Sequence, residues 1–373
     1  MRLTHLILLV VAIGASPALA LDRPDVTFKI FQFPADQIPR IDGKTDDWDV
    51  VPDDYAIKTD QLVDDEGGHA QPDPKDIDVK VKIGWVKGLN RLYFLYEASD
   101  NYWDFARPGL TNDIFEIVVD GDASGGPLID SGHTDVWTPQ ALGEMAPRDP
   151  RLTVPELHWA THGVQAQNYH IFTPPGDKDW CMAWSSATWI KELPYANSKC
   201  VYNFKPGESG KLILEFWITP FDYAGPEGPQ RAVESVLSEN KLIGLSFAVI
   251  DYDGPEKPQR SFWNLSRKHT MFGNASQLCA FKLMPLDEKL RKPIAANWSF
   301  KIVDMDRRIV AFKDLSEGKV TEWKWTFGDG QTSTEQNPIH TFQRSTNGLS
   351  TTLEVTGPDG TAKRQKVWDI QTK

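Results

Sequence analysis

The chain has 373 residues, of which 52 are acidic and 40 basic, giving a formal charge of −12 at neutral pH. That excess, with no basic stripe to offset it, repels polyanions and excludes nucleic acid as a partner. The length suits two domains, and 14 Trp, 18 Phe and 9 Tyr provide core material for both.

Arg2, the apolar run Leu6 to Ile13 and the small-residue site Ala18-Leu19-Ala20 read as a signal peptide cut after Ala20. The protein is therefore expected outside the cytoplasm, either secreted or periplasmic. The apolar run is far shorter than the roughly 20 residues that span a bilayer, and no later stretch is apolar enough, so no membrane span is expected. No Cys stands beside the cut, which argues against a lipid anchor.

Strand signals follow. Asp78 to Trp85 alternates polar and apolar residues, Gly88-Leu89-Asn90 is a turn, and Leu92 to Glu97 completes a hairpin. Ile114 to Val119, Lys211 to Ile218, Ile243 to Ile250 and Ala280 to Leu283 read as further strands. One short helix is expected over Arg231 to Asn240. Many short strands separated by Gly and Pro predict an all-β chain: a large β-sandwich over 21–285, with a helical or loop insertion at about 130–205. The polar, Pro-punctuated stretch 286–296 reads as a linker, and 297–373 as a small second sandwich.

Cys181, Cys200 and Cys279 enter an oxidising compartment, where three thiols allow at most one internal bridge. Cys181 and Cys200 bracket an expected hairpin and are the favoured pair.

Asp120-Gly121-Asp122-Ala123-Ser124-Gly125 places oxygen ligands at alternate positions with a Gly close behind, which resembles the first half of a calcium loop. Ser131 stands where an EF-hand needs its bidentate Glu, so a looser calcium site at Asp120, Asp122 and Ser124 is the expectation. Asp100, Asn101 and Asp104 form a second candidate, against the reading of both as solvated turns. His158 and His162, four apart, lack the helical context and the Glu of a zinc motif. No organic cofactor is expected.

The C-terminal part carries Trp323-Lys324-Trp325-Thr326-Phe327-Gly328-Asp329-Gly330, then Asn337-Pro338 and His340-Thr341-Phe342. This resembles a PKD domain, whose hallmark is a W-x-F-G-D-G hairpin followed by N-P-x-H. The resemblance implies an Ig-like sandwich that acts as a spacer or contacts proteins and polysaccharides.

The N-terminal part opens with Ile41-Asp42-Gly43-Lys44-Thr45-Asp46-Asp47-Trp48. It continues through Val81 to Trp85, Leu92-Tyr93-Phe94, Asn112 to Asp120, Leu214 to Ile218 and Ile243 to Phe247, and closes around Trp263 and Phe272-Gly273. This resembles the family 9 carbohydrate-binding modules and their DOMON-like, jelly-roll relatives. The resemblance implies sugar held between two tryptophans, with structural calcium. Trp263 matches the later of the two rings and Glu116 a polar sugar contact. The other ring is expected just before Asn112, where residues 107–111 hold no Trp, and Trp103 in the same loop is its substitute.

Sugar chemistry makes aromatic residues the right candidates, because flat rings cover the C–H faces of a pyranose while carboxylates and amides read its hydroxyl rim. Trp137, Trp159, Trp180, Trp184 and Trp189 crowd the middle of the chain. Trp180 and Trp184 join Trp263, Trp103 and Glu116 as the candidate carbohydrate site, against the reading of each ring as core.

The expected function is non-catalytic binding of an extracellular polysaccharide or other glycan, with envelope proteins as partners of the C-terminal domain. One alternative is an envelope scaffold without sugar affinity. Another is a haem-binding relative using Met182 or Met271. A glycoside hydrolase needs two positioned acids that nothing in the sequence pairs.

Overall fold

The computed structural model describes residues 21–35, 37–66, 71–126, 163–185, 187–225, 227–254, 259–291, 293–343 and 349–368. The segment expected to be a signal peptide, and Trp137, Trp159, His158 and His162, lie outside these. The chain divides between Pro285 and Leu286 into two compact units.

In the first unit the strands are β1 (Asp22–Phe33), β2 (Ile57–Lys58), β3 (Ile77–Val86), β4 (Leu92–Asp100), β5 (Ile114–Asp120), β6 (Gln167–Phe172), β7 (Cys181–Ala183), β8 (Ala196–Val201), β9 (Gly210–Ile218), β10 (Phe221–Tyr223), β11 (Val233–Glu234), β12 (Leu242–Asp253), β13 (Gln259–Asn264) and β14 (Cys279–Leu283). They run in the order β7-β6-β5-β12-β14-β1-β3-β4-β9-β8, with β13 beside β12 and β2 beside β3. β1 belongs to both layers. Its Thr27 to Ile30 pair in parallel with β14, and its Phe31 to Phe33 pair in parallel with β3. One strand thus folds the curled sheet into a sandwich.

Period-two alternation builds the core. On β5, Phe115, Ile117 and Val119 face the space between the layers, where they meet Phe94 and Tyr96 of β4, Phe216 of β9 and Phe247 of β12. Phe94 stacks on Phe216 at 4.5 Å, and Tyr96 on Phe115 at 4.5 Å. Ile114 and Val118 point the other way, into a second cluster with Ala248, Ile250, Phe262 and Met271.

The opening I-D-G-x-x-D-D-W segment is tied to β9 by one buried carboxylate. Glu215 accepts from Trp48 Nε1 at 2.9 Å, from Gly43 N at 2.6 Å and from Asp42 N at 3.2 Å. Gly43 is held at φ +83°, a conformation that favours glycine.

Two expectations fail. Arg231 to Asn240 is not helical: Pro229–Arg231 forms a 3-10 turn and Val233–Glu234 a short strand paired with β10. Val233, Ser235, Val236 and Ser238 are weak helix formers, and no apolar stripe compensates. Cys181 and Cys200 do not bridge, and all three cysteines are free. Cys181 lies on β7 beside Ile171 of β6, whereas Cys200 lies on β8 beside Leu214 of β9, so the two are not arms of one hairpin.

The second unit has a three-stranded sheet, β15 (Trp298–Asp304), β16 (Ile309–Asp314) and β19 (Ile339–Thr341). Its four-stranded sheet is β18 (Thr332–Ser333), β17 (Glu322–Thr326), β20 (Leu349–Gly357) and β21 (Gly360–Trp368). Trp298, Val310, Phe312, Trp325, Phe327, Phe342, Leu353 and Val355 form its core. Trp325 and Phe327 are buried while Thr326 between them is exposed. Gly328 and Gly330 adopt φ +84° and +90° in the turn that follows. His340 stacks on Phe327 at 3.9 Å, and its Nε2 lies 2.8 Å from Asp329 Oδ2. The hallmark residues are therefore packing and turn residues.

Candidate functional site

Two polar constellations stand out in the first unit, one on the outer face of the β6-β5-β12 layer and one at the end of the sandwich.

Register places Met182, His170, Glu116, Ala248 and Asn264 in one transverse row across β7, β6, β5, β12 and β13. Glu116 Oε1 accepts from Asn168 Nδ2 at 3.0 Å and lies 3.3 Å from His170 Nε2. Asn168 also donates to the carbonyl of Phe272 at 3.3 Å. Both ionisable groups are buried, and burial disfavours charge on each. It raises the Glu116 carboxyl to about 7 and lowers the His170 imidazole to about 3. Asn168 Oδ1, His170 Nδ1 and Ser246 Oγ have no hydrogen-bond partner. Half-buried Trp184 stands over this group, 5.1 Å from His170 and stacked on Phe272 at 6.2 Å. Along β7 runs a cleft of about 370 Å³ whose lining includes Phe172, Lys178, Met182, Thr188 and Lys191.

The other predicted rings have different surroundings. Trp263 faces inward opposite Val249 and is 4% exposed. Trp103 is 1% exposed, stacks on Phe204 at 5.0 Å and donates to Gly210 O at 3.0 Å. Both are core residues here, and neither offers a ring face to a sugar. Trp180 is half-buried against Phe216, and its Nε1 donates to Lys191 O at 3.2 Å. Glu116 and Trp184 are brought together; Trp263 and Trp103 are kept apart from them.

At the sandwich end, the inward-facing rows of β4 and β12 finish in carboxylates: Ala98 is followed by Asp100, and Val249 by Asp251. Asp113, just before β5, and Asp76, just before β3, arrive at the same place. The ligand atoms of Asp100, Asp113 and Asp251 lie within 4.8 Å of one another, and so do those of Asp76, Asp251 and Asp253. Asp113 Oδ2 accepts from Asp104 N at 2.6 Å and its Oδ1 from Tyr252 N at 2.9 Å. Asp100 Oδ2, Asp251 Oδ1 and Asp253 Oδ1 have no partner. Burial, followed by neighbouring carboxylates, raises Asp251 to about 9. Burial is also the first cause for Asp100, at about 7, and for Asp253, at about 6. Asp113 is pushed well above the ordinary range. Clusters of buried aspartates such as these can coordinate a metal ion, and an all-carboxylate donor set suits a hard one.

The calcium loop expected at Asp120, Asp122 and Ser124 turns its oxygens inward. Asp120 accepts from Gly125 N at 2.7 Å and Ser124 N at 3.3 Å, and Asp122 from Ser124 N at 3.0 Å. Its carboxylates cap their own turn. Of the second candidate, Asp100 belongs to the cluster, while Asp104 pairs with Arg107 at 2.6 Å. Sequence reasoning missed Asp76, Asp113, Asp251 and Asp253, as well as Asn168, His170 and Phe272. The readable signal for Asp251 was the inward row of β12, which the alternation carries past Val249.

Residues 293–371 match the family model described as PKD domain. The C-terminal unit is a PKD domain. It is similar to the PKD1 domain of the Vibrio cholerae metalloprotease PrtV, at 26% identity and a TM-score of 0.20, covering 22% of this chain and 100% of that one. The chain is also similar to a family 9 carbohydrate-binding module from Caldicellulosiruptor kristjanssonii solved with cellotriose. That likeness has 14% identity and a TM-score of 0.43, covering 72% of this chain and 98% of that one. The same organism's module solved with glucose gives 15% identity and a TM-score of 0.42, covering 70% and 98%. No curated protein matches the chain.

Proposed function

We propose that the first unit is a non-catalytic, secreted glycan-binding module whose sandwich end is held by calcium, and that the PKD domain serves as its spacer or protein contact. One observation carries the sugar reading: Trp184 stands over Glu116, Asn168 and His170, where Asn168 Oδ1 and His170 Nδ1 lack partners. Half-buried Trp184 supplies a ring for a pyranose C–H face, while the carboxyl, amide and imidazole beneath it are buried and form the floor under that ring. The cleft along β7 gives a chain of sugars room to continue, with Lys178, Thr188 and Lys191 at its walls. In the acid cluster, Asp100, Asp113 and Asp251 would hold the calcium, which supplies the charge that neutralises them; these residues orient the strand ends.

The test is retention of residues 21–373 on a panel of soluble and insoluble polysaccharides, with calcium and with chelator, assaying released sugars in parallel. Retention on one glycan is expected, weakened about tenfold or more by Trp184→Ala, a loss of ~1.4 kcal/mol or more. Trp263→Ala would act through folding instead, and its loss of binding should follow its loss of stability. No retention on any glycan overturns the sugar reading. The second reading, an envelope scaffold, is favoured by the exposed apolar residues Phe300, Ile302, Val303 and Met305 on and just beyond β15 of the PKD domain.

A further inference from the structure

We propose that the cleft along β7 takes a chain of neutral sugars that carries scattered uronate groups, and that Lys178 holds the carboxylate of one of them. The inference rests on the glycan reading above and adds the class of sugar.

Lys178 is a half-buried cation without a counter-charge. Its Nζ donates to the carbonyl of Phe105 and, at 3.3 Å, to Asn112 Oδ1, and it lies 5.7 Å from the centre of the Phe172 ring. Both acceptors are neutral, and Asn112 Oδ1 also accepts from Arg107 N at 3.1 Å. Among the described residues no carboxylate pairs with Lys178. An ammonium has three N–H donors, so one is left for a ligand. The other ammonium of the lining, that of Lys191, is neutralised: it pairs with Asp179 and lies 3.9 Å from Glu192 Oε1. Within the lining, Asp179 alone offsets Lys178 and Lys191, which leaves one positive charge unmet.

Much of the remaining lining is apolar, with half-buried Met182 beside Phe172, Cys181 and Ala183. In such surroundings a charge is weakly screened, and leaving it unpaired has a free-energy cost that an incoming carboxylate relieves. Met182 and Ala183 directly precede Trp184, so the cleft adjoins the ring that covers a sugar face. A uronate-bearing chain meets both features: C–H faces for the ring and the thioether, and a carboxylate for the ammonium.

The charge of the whole protein sets how dense that acid can be. At −12 the chain repels a polyanion, and exposed Asp177 and Glu192 stand next to Lys178 and Lys191 in the sequence. In a polyuronate, successive carboxylates lie within one Debye length, about 8 Å at physiological ionic strength, so they act against that surface together. Where several neutral sugars separate the uronates, each is screened from the next, and the one at Lys178 interacts with the cleft alone.

The experiment measures the affinity of residues 21–373 for β-1,4-glucan, mannan and galactan. Each is offered in four forms: neutral, sparsely oxidised at C6 to the uronate, the same chain with its carboxylates methyl-esterified, and densely oxidised. The sparse uronate form of one glycan should bind roughly tenfold to a hundredfold more tightly than its neutral and esterified forms, and more tightly than its dense form. Added salt should narrow that ratio. In Lys178→Met the sparse acid and its ester should bind alike. The ester alters only the ligand, so the wild-type comparison holds even where the variant folds poorly. Equal binding of acid and ester by the wild type overturns the uronate inference and leaves the neutral-glycan reading standing. A preference for the acid that survives in Lys178→Met overturns the assignment to Lys178. Tightest binding to the dense form overturns the limit set by net charge. No binding to any form overturns the sugar reading itself.

Discussion

Glu116 and His170 share one buried spot, and burial moves them in opposite directions. Glu116 goes from 4.5 up to about 7, so its contribution to stability falls as pH rises through that window. His170 goes from 6.5 down to about 3, so its contribution falls as pH drops through that window. Between about 4.5 and 6.5 the two slopes oppose each other. Glu116→Gln removes one of them. Measured as the difference in urea stability between variant and wild type at each pH, with calcium present, the variant should gain about 1.4 kcal/mol per pH unit from about 4.5 to about 7. A difference that does not change with pH would mean Glu116 titrates normally. Glu116 was legible through the family resemblance, as the one acid inside the apolar run Ile114 to Val119. His170 was not, because a lone His in a strand carries no signal until register sets it beside Glu116.

At the scale of elements, the strand that passes between layers is the feature most open to test. Gly84 of β3 pairs with Phe31 of β1, and a Cβ on Gly84 would fall 2.1 Å from Phe33 Cε2. Phe33 has little freedom to yield, since it is buried and packs edge-on against Trp48 at 5.2 Å. Gly84→Ala should cost about 1–3 kcal/mol as an overpacked site, and Phe33→Leu in the same chain should recover part of it. Additive losses in that double-mutant cycle would sink the argument. The β3-β4 hairpin could be read directly from Asp78 to Glu97, because local alternation and a turn define it. The switch in β1 could not, since it depends on β14 and β3, which lie far along the chain in one case and beyond a long loop in the other. Trp263 was misplaced for a related reason: alternation says that Phe262 and Trp263 face opposite ways, but only pairing with β12 decides which ring goes inside. The acid cluster is assembled from β12 and from residues at the borders of β3, β4 and β5, so no short motif announces it.

For the molecule as a whole, charge divides unevenly. Of the 52 acidic and 40 basic side chains, 12 and 14 lie after Pro285, which leaves that part at +2 and the remainder at −14. Each unit also has its own core, one centred on Phe94, Phe115 and Phe216, the other on Trp298, Phe312 and Trp325. The acid cluster belongs entirely to the first. A cation bound only by the folded first unit therefore stabilises that unit alone, by about 2.7 kcal/mol when its concentration is a hundred times its Kd. Scanning calorimetry of residues 21–373 should show two transitions. Chelator should lower only one of them, by roughly 5–10 °C for a unit of this size. Trp325→Ala, which empties the middle of the PKD core at a cost of about 3–5 kcal/mol, should lower or abolish only the other. If chelator shifts the transition that Trp325→Ala removes, the cation lies outside the aspartates of the first unit, and the account of the sandwich end fails with it.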